Sequence, residues 1–392
     1  MTALTRSPCE SNDDANALPL DPIALPLREQ LFRTTLTQGF FGVFRDSIPD
    51  DWGRHVASKL YGSGFQTLFD YLWLPTADRM GALAFGRTPS EPIREKPLLL
   101  WSDVETTVYL DAIRKLDSDK PLTPAEQTVA MVFGAATSAG GVRPKFTTQK
   151  GDALWLAKLN RQSDRFNEVR VEAAMLDLAR ACGIEVPDHH VERIHGQDVL
   201  LVKRFDRSVT RAGVLRHRMV SAGTVFQADE ALARSSFTGS YPRLARELAR
   251  WTVTGDEDRR QLFRRIAFNA LTSGTDDHER NHALVAEAVH YRLSPAFDLV
   301  PQPGHTAKRY LALIIGDYGS LAIRENLLSR ANLFQLTSPS ANDIISEIQQ
   351  TVRNHWRTTL EARHVSQSDI EKIAGCFDPA SFEAAAPENA RL

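Results

Sequence analysis

The sequence is short of cysteine, of long apolar runs and of net charge, and each shortage excludes something. Its three cysteines, Cys9, Cys182 and Cys376, are scattered and lack CxxC spacing. A disulfide framework or thiolate zinc site is therefore not expected, and a reducing compartment fits. No run of about 18 apolar residues occurs, and positions 1–18 are polar where a signal peptide needs an apolar core. The expectation is a cytoplasmic protein without a membrane partner. Lys and Arg number 47 against 49 Asp and Glu, a formal charge of -2, which gives no reason for wholesale attraction to nucleic acid. Repeats are absent, and low complexity is confined to Ala384-Ala385-Ala386. What remains is an ordinary globular composition, 392 residues with 42% hydrophobic and 24% charged, enough for two or three structural units.

Positions 1–20 read as a loose polar tail. From Leu31 to Phe85 short apolar runs are broken by Gly and Pro, as in a small α+β unit, and the charged, proline-bearing stretch Glu91–Pro97 reads as a linker. Thr123-Pro124-Ala125-Glu126 is a capping box with proline in the first turn, which starts a helix. Gly140-Gly141 then leads into a strand, and Ala153 to Leu159 alternates as a second one, with Leu154, Leu156 and Lys158 on one face. Val171, Ala174, Met175 and Leu178 have helical spacing ending at Gly183. Val191–Ile194 and Val199–Val202 read as a hairpin about Gly196-Gln197. Beyond Arg207 three apolar stripes at helical spacing follow, led by Tyr241, Leu262 and Ile344, so the second half is mostly helical.

The segment Ser273 to His282 supports two incompatible chemistries. His278-Glu279-Arg280-Asn281-His282 matches HExxH, a zinc hydrolase pattern that needs a continuous helix. Against it, Gly274, Thr275, Asp276 and Asp277 look like a loop. Alternatively, Asp276 and Asn281 are five residues apart, the interval in the protein-kinase loop where Asp accepts a hydroxyl proton and Asn holds a metal. A second metal-holding carboxylate is available downstream at Asp298. Upstream, the Gly140-Gly141 turn offers backbone N–H groups, and Lys158 is the polar member of an apolar strand face that needs an anionic partner. Glu172 on the following helix is the candidate. His189, His190 and His195 read as loop and strand residues rather than ligands. The basic stretch Arg204, Arg207, Arg211, Arg216 and Arg218 reads as a solvated face more readily than a nucleic-acid surface.

Together these motifs resemble the HipA-type serine/threonine kinases, the toxin components of bacterial toxin–antitoxin pairs. The resemblance runs from about Phe41 to Val300. It implies a bilobal α+β, protein-kinase-like fold: a tail over 1–20, an N-terminal domain over 21–95, a nucleotide lobe over 96–207, a helical lobe over 208–380 and a tail over 381–392. It places Gly140, Gly141, Val142, Arg143, Lys145 and Thr147 in or beside the phosphate loop, with Lys158 and Glu172 as the nucleotide lysine and its partner. Lys203, Arg204 and Phe205 resemble the adenine hinge, although Lys203 stands where an acid is common. Asp276 inherits the base role, His278 lines the site, and Asn281 and Asp298 hold magnesium. ATP and magnesium are thus the implied cofactors. The implied substrate is an aminoacyl-tRNA synthetase, with arrested translation as the outcome. The implied partner is a HipB-like DNA-binding antitoxin, with DNA contact, and room for a dimer, only inside that complex. Two alternatives stay open: an inactive corepressor using the fold to hold its antitoxin, and the zinc hydrolase.

Overall fold

The computed structural model describes residues 2–3, 19–27, 30–34, 39–64, 67–74, 79–88, 91–93, 99–100, 103–133, 141–211, 213–226, 239–286, 289–304 and 308–386. Chain contacts divide the protein into two compact units. The first comprises Met1–Asp164, Asp188–Val220 and Val285–Val289; the second comprises Arg165–Pro187, Ser221–Leu284 and His290–Leu392. No helix among the described residues is long and apolar enough to cross a membrane.

The first unit is built on a five-stranded sheet. Its strands are β1 (Leu99–Leu100), β2 (Lys145–Lys150), β3 (Ala153–Leu159), β4 (His189–Ile194) and β5 (Gln197–Lys203), in the order β1-β2-β3-β5-β4. Only β1 runs parallel to its neighbour. The β4–β5 turn is centred on His195 and Gly196, at φ 45 and 78, and leaves Ile194 opposite Gln197. It falls one residue earlier than the sequence suggests, because a two-residue turn of this hand needs positive φ at both central positions. Three helices, α1 (Asp51–Tyr61), α2 (Asp103–Asp117) and α3 (Pro124–Phe133), accompany the sheet. The expected capping box starts α3: Glu126 accepts the Thr123 N–H at 2.7 Å, and the Thr123 hydroxyl accepts the Glu126 N–H at 3.3 Å. Trp52 and Val56 of α1 pack with Tyr109 and Ile113 of α2 and with Phe146, Ala157 and Leu201 of the sheet. Thus α1, from the region expected to be a separate N-terminal domain, shares the core of the sheet.

In the second unit α4 (Glu168–Ala181), α5 (Tyr241–Trp251), α6 (Gly255–Thr272), α7 (Ser338–Ala362) and α8 (Gln367–Ile373) carry most of the structure. Apolar residues recur every three to four positions in α4 and α7, giving each a buried stripe, and these two helices pack on each other. Arg363, at the end of α7, holds Asp177 of α4, while Arg264 of α6 pairs with Glu347 of α7 at 3.1 Å. Tyr241, Leu244 and Leu248 of α5 are fully buried, as their spacing requires. Trp356 stacks on Phe377 with ring centroids 4.5 Å apart.

Candidate active site

In the second unit the key loop begins where α6 stops. Ser273 takes a left-handed conformation, φ 56, and the Gly274 N–H bonds to the Asn269 carbonyl at 2.8 Å. A side chain at Gly274 would strike Asn269, since its Cβ would lie 2.6 Å from Oδ1. The chain then makes a single 3-10 turn, Glu279–Asn281, capped by His278, whose Nδ1 accepts the Arg280 N–H. The HExxH reading fails here, because two histidines four apart face one metal only on a continuous helix. His282 instead is buried, with Nε2 3.0 Å from the Asp277 carboxylate. Among the described residues no group of three or more His, Cys, Asp or Glu is arranged to hold a metal.

The neighbouring acids Asp276 and Asp277 have opposite surroundings. Asp277 is buried and accepts from the Tyr241 hydroxyl at 2.5 Å as well as meeting His282. Burial alone would raise its carboxyl, but His282, Tyr241 and Asn269 outweigh it and hold Asp277 below the usual carboxylate range. Burial, and after it the charge and hydrogen bond of Asp277, push the Tyr241 hydroxyl well above its ordinary value. Asp276 faces solvent at the loop surface. Partial desolvation raises its carboxyl, His278 opposes the rise, and the like charges of Asp298 and Asp277 add to it. Asn281 is fixed against the same residue by a 3.0 Å bond from Nδ2 to the Asp276 carbonyl.

Asp298 ends a segment held by three backbone tethers. The Ser294 N–H bonds to the Ala283 carbonyl at 2.9 Å, the Ala296 N–H bonds to Glu185 at 2.7 Å, and the Arg265 guanidinium donates to the Ser294 carbonyl. Asp298 itself takes φ 60, an uncommon conformation for a residue with a side chain. The loop therefore gathers Asp276, His278, Asn281 and Asp298 in one unit. Asn281 and Asp298 offer an amide oxygen and a carboxylate, donors of the kind a hard divalent cation takes.

In the first unit, Gly140 lies outside the described residues. Gly141 has φ 99, and its carbonyl faces the Trp52 N–H of α1 at 3.5 Å. Val142 is exposed, and Arg143 forms a two-pronged pair with Asp164 at 2.7 and 3.0 Å. Several residues expected at the nucleotide prove to be engaged inside the protein. The Lys145 ammonium is buried against Asp50 at 2.8 Å, and the other oxygen of Asp50 caps α1 through the Gly53 N–H. The Thr147 hydroxyl accepts from Arg204 at 2.9 Å, and Arg204 clasps Asp206. These engagements share one cause: a buried cation needs an anion or carbonyl, and the fold supplies it internally. In the hinge the N–H groups of Lys203 and Arg204 are used by Asp188 and Leu154, both at 2.8 Å, while Phe205 is half-buried. Lys158 and Glu172 are both buried, on β3 and α4 respectively.

Asp206 is the centre of a network that the sequence did not announce. It accepts from Arg204, from Arg207 at 2.8 Å and from the Gly81 N–H at 3.0 Å. Burial opposes ionisation, but the two arginines hold its carboxyl far below the usual range. Arg79, also buried, donates to the carbonyls of Ser47, Leu72 and Leu74, each at 2.8 Å. Arg204 and Arg207 are therefore interior residues, not part of a solvated basic face. The only hint in the sequence was the alternation of opposite charges in Lys203-Arg204-Phe205-Asp206-Arg207. His190 lies on β4 and pairs with Glu192 at 2.8 Å.

Comparison with known proteins bears on the fold and the family. The HipA-like C-terminal domain matches residues 137–356. A protein of Sinorhizobium fredii named "Putative kinase Y4mE" is 24% identical over 302 residues, covering 74% of this chain and 69% of that protein. HipA of Shewanella oneidensis MR-1, solved with HipB and operator DNA, superposes with a TM-score of 0.68 at 18% identity, over 93% of this chain and 88% of that one. That likeness shows a shared α+β fold. With the matched region spanning more than half of its length, the chain belongs to the HipA-like C-terminal domain family.

Proposed function

We propose that the protein is an ATP- and magnesium-dependent serine/threonine protein kinase of HipA type. The observation that carries this reading is the pairing of an exposed Asp276, its carboxyl raised, with Asn281 bound to its backbone and Asp298 held close enough for their charges to interact. Asp276 orients an acceptor hydroxyl and takes its proton as the oxygen bonds to the γ-phosphorus of ATP and the bond from that phosphorus to the bridging oxygen breaks, releasing ADP. Asn281 and Asp298 would hold magnesium, which would neutralise charge developing on the phosphoryl group that ATP supplies. Lys158 and the glycine turn at Gly141 are the groups of the first unit that would meet the phosphates. Lys203 and Phe205 border the adenine through carbonyl and apolar surface. Family membership supports a protein acceptor, with an aminoacyl-tRNA synthetase as the first to try. The HipB and operator DNA bound by the Shewanella protein support a small DNA-binding antitoxin as partner.

The test is transfer of labelled γ-phosphate from ATP to proteins of a host lysate, by purified wild type and Asp276→Asn. One labelled band that appears only with wild type is the expected result. A folded wild type that binds ATP and labels nothing would replace the kinase with the corepressor reading.

A further inference from the structure

Two side-chain hydrogen bonds cross the catalytic loop next to each other, and each joins residues five apart. In one, Asn281 Nδ2 donates to the Asp276 carbonyl at 3.0 Å; in the other, His282 Nε2 meets the Asp277 carboxylate at 3.0 Å. The second bond uses the residues that directly follow Asp276 and Asn281, so it fixes the backbone of both. Its setting is tightly built. The Tyr241 hydroxyl donates to the same carboxylate oxygen at 2.5 Å, the Tyr241 ring stands edge-on to His282 with centroids 5.6 Å apart, and the His282 carbonyl accepts the Ala222 N–H at 2.8 Å. Next in the chain, the Ala283 carbonyl accepts the Ser294 N–H at 2.9 Å, which carries the constraint into the segment that ends at Asp298.

The surroundings of His282 separate this bond from ordinary packing. The residue is 1% exposed, and its Nδ1 has no hydrogen-bond partner. Burying an imidazole with one nitrogen unsatisfied is costly. An apolar ring would fill the space beside Tyr241 without that cost, because well-packed apolar groups often replace a buried polar pair with no loss of stability. What an apolar ring cannot do is hold Asp277 at a set distance across the loop. We propose that Asp277 and His282 are positioning residues whose bond sets Asp276 against Asn281 and Asp298, an inference that rests on the kinase reading above. Both act through their neighbours in the chain, Asp276 and Asn281, and not by contact with ATP or the acceptor.

The test compares His282→Phe, which keeps a ring beside Tyr241 and removes the bond, with His282→Gln, whose amide nitrogen can take the place of Nε2. The full-length proteins are assayed for label transfer from ATP to host-lysate protein, for binding of Mn²⁺ alone by loss of its free electron paramagnetic resonance signal, and for melting. His282→Phe should lower the transfer rate at saturating ATP about 10²-fold, as a misplacement of about 1 Å does. It should weaken Mn²⁺ binding about 10–100-fold and leave the KM for ATP near that of wild type. His282→Gln should recover most of both losses, which a merely structural histidine would not produce. Unchanged rate and Mn²⁺ binding in folded His282→Phe, or equal losses in the two variants, would overturn the positioning role and leave the kinase standing. Mn²⁺ affinity that falls with Phe and returns with Gln, with no transfer by wild type or variants, would keep the positioning role and remove the kinase. Should His282→Phe fail to fold, Asp277→Asn is read in its place. It should show the same two losses, and wild-type values for it would overturn the inference.

Discussion

Replacing Asp206 by Asn tests the buried charge network most directly. The carboxylate accepts two bonds from Arg204, at 2.9 and 2.8 Å, one from Arg207 at 2.8 Å and one from the Gly81 N–H at 3.0 Å. Both guanidinium groups are almost wholly removed from water. An amide at this position keeps the shape but removes the anion and turns an NH2 group toward a cation. Losing one partner of such a pair costs about 3–5 kcal/mol, because the cost is set by the uncompensated charges left behind. For a unit of about 200 residues each kcal/mol moves the melting temperature by roughly 2–4 °C, so unfolding of the first unit should occur about 10 °C lower. Scanning calorimetry should show that shift in the first unit's transition and little change in the second's. The sign with pH follows from the depressed carboxyl. The network's stabilisation is fully present above the unfolded value of about 4 and is lost as pH falls toward the folded value. The gap between wild type and Asp206→Asn should accordingly shrink below about pH 4. A shift under about 2 °C at pH 7, or a gap independent of pH, would refute the argument that Asp206 is a charged keystone.

The two lysines on paired strands should part company. Lys145→Met should destabilise by about 3–5 kcal/mol, since it strands the buried Asp50 carboxylate. Lys158→Met should chiefly weaken ATP binding, and equal thermal shifts for the two would contradict the assignment. Asp276→Asn should lower phosphate transfer by about 10²–10⁴-fold with melting unchanged, whereas Asp277→Ala should lower stability by about 1–3 kcal/mol as Tyr241 and His282 lose their acceptor. A normal melting curve for Asp277→Ala would show that its hydrogen bonds are idle. Burial pushes the thiols of Cys182 and Cys376 up to about 12 and about 11. Neither should be alkylated by iodoacetamide at pH 8 in the native protein, and mass spectrometry of the labelled chain reads this directly.

Local signals were legible where the chemistry is local. The capping box at Thr123 and Glu126, the alternation of Ala153 to Leu159 and the apolar stripes of α5 to α7 each depend on neighbours within a turn or two, so sequence spacing exposes them. The spacing of Asp276, His278 and Asn281 was readable for the same reason: one short loop carries all three. Spacing could not say which acid of the Asp276-Asp277 pair faces water. That is decided by Tyr241, 36 residues upstream, whose hydroxyl claims Asp277. Nor could it place Lys145, whose anion comes from Asp50, 95 positions earlier.

The family, the α+β class and the order of the chemical motifs were thus determined by the sequence alone, because propensity, capping and short loops are properties of adjacent residues. Tertiary structure decided which charges are spent on holding the fold and which stay available at a surface. A lysine, arginine or aspartate looks the same in a string of letters whether it is exposed or buried. Only long-range packing fixes whether water or a distant side chain must satisfy it, and the cost of leaving a buried charge unpaired makes that choice binding for Lys145, Arg204, Asp206 and Asp277.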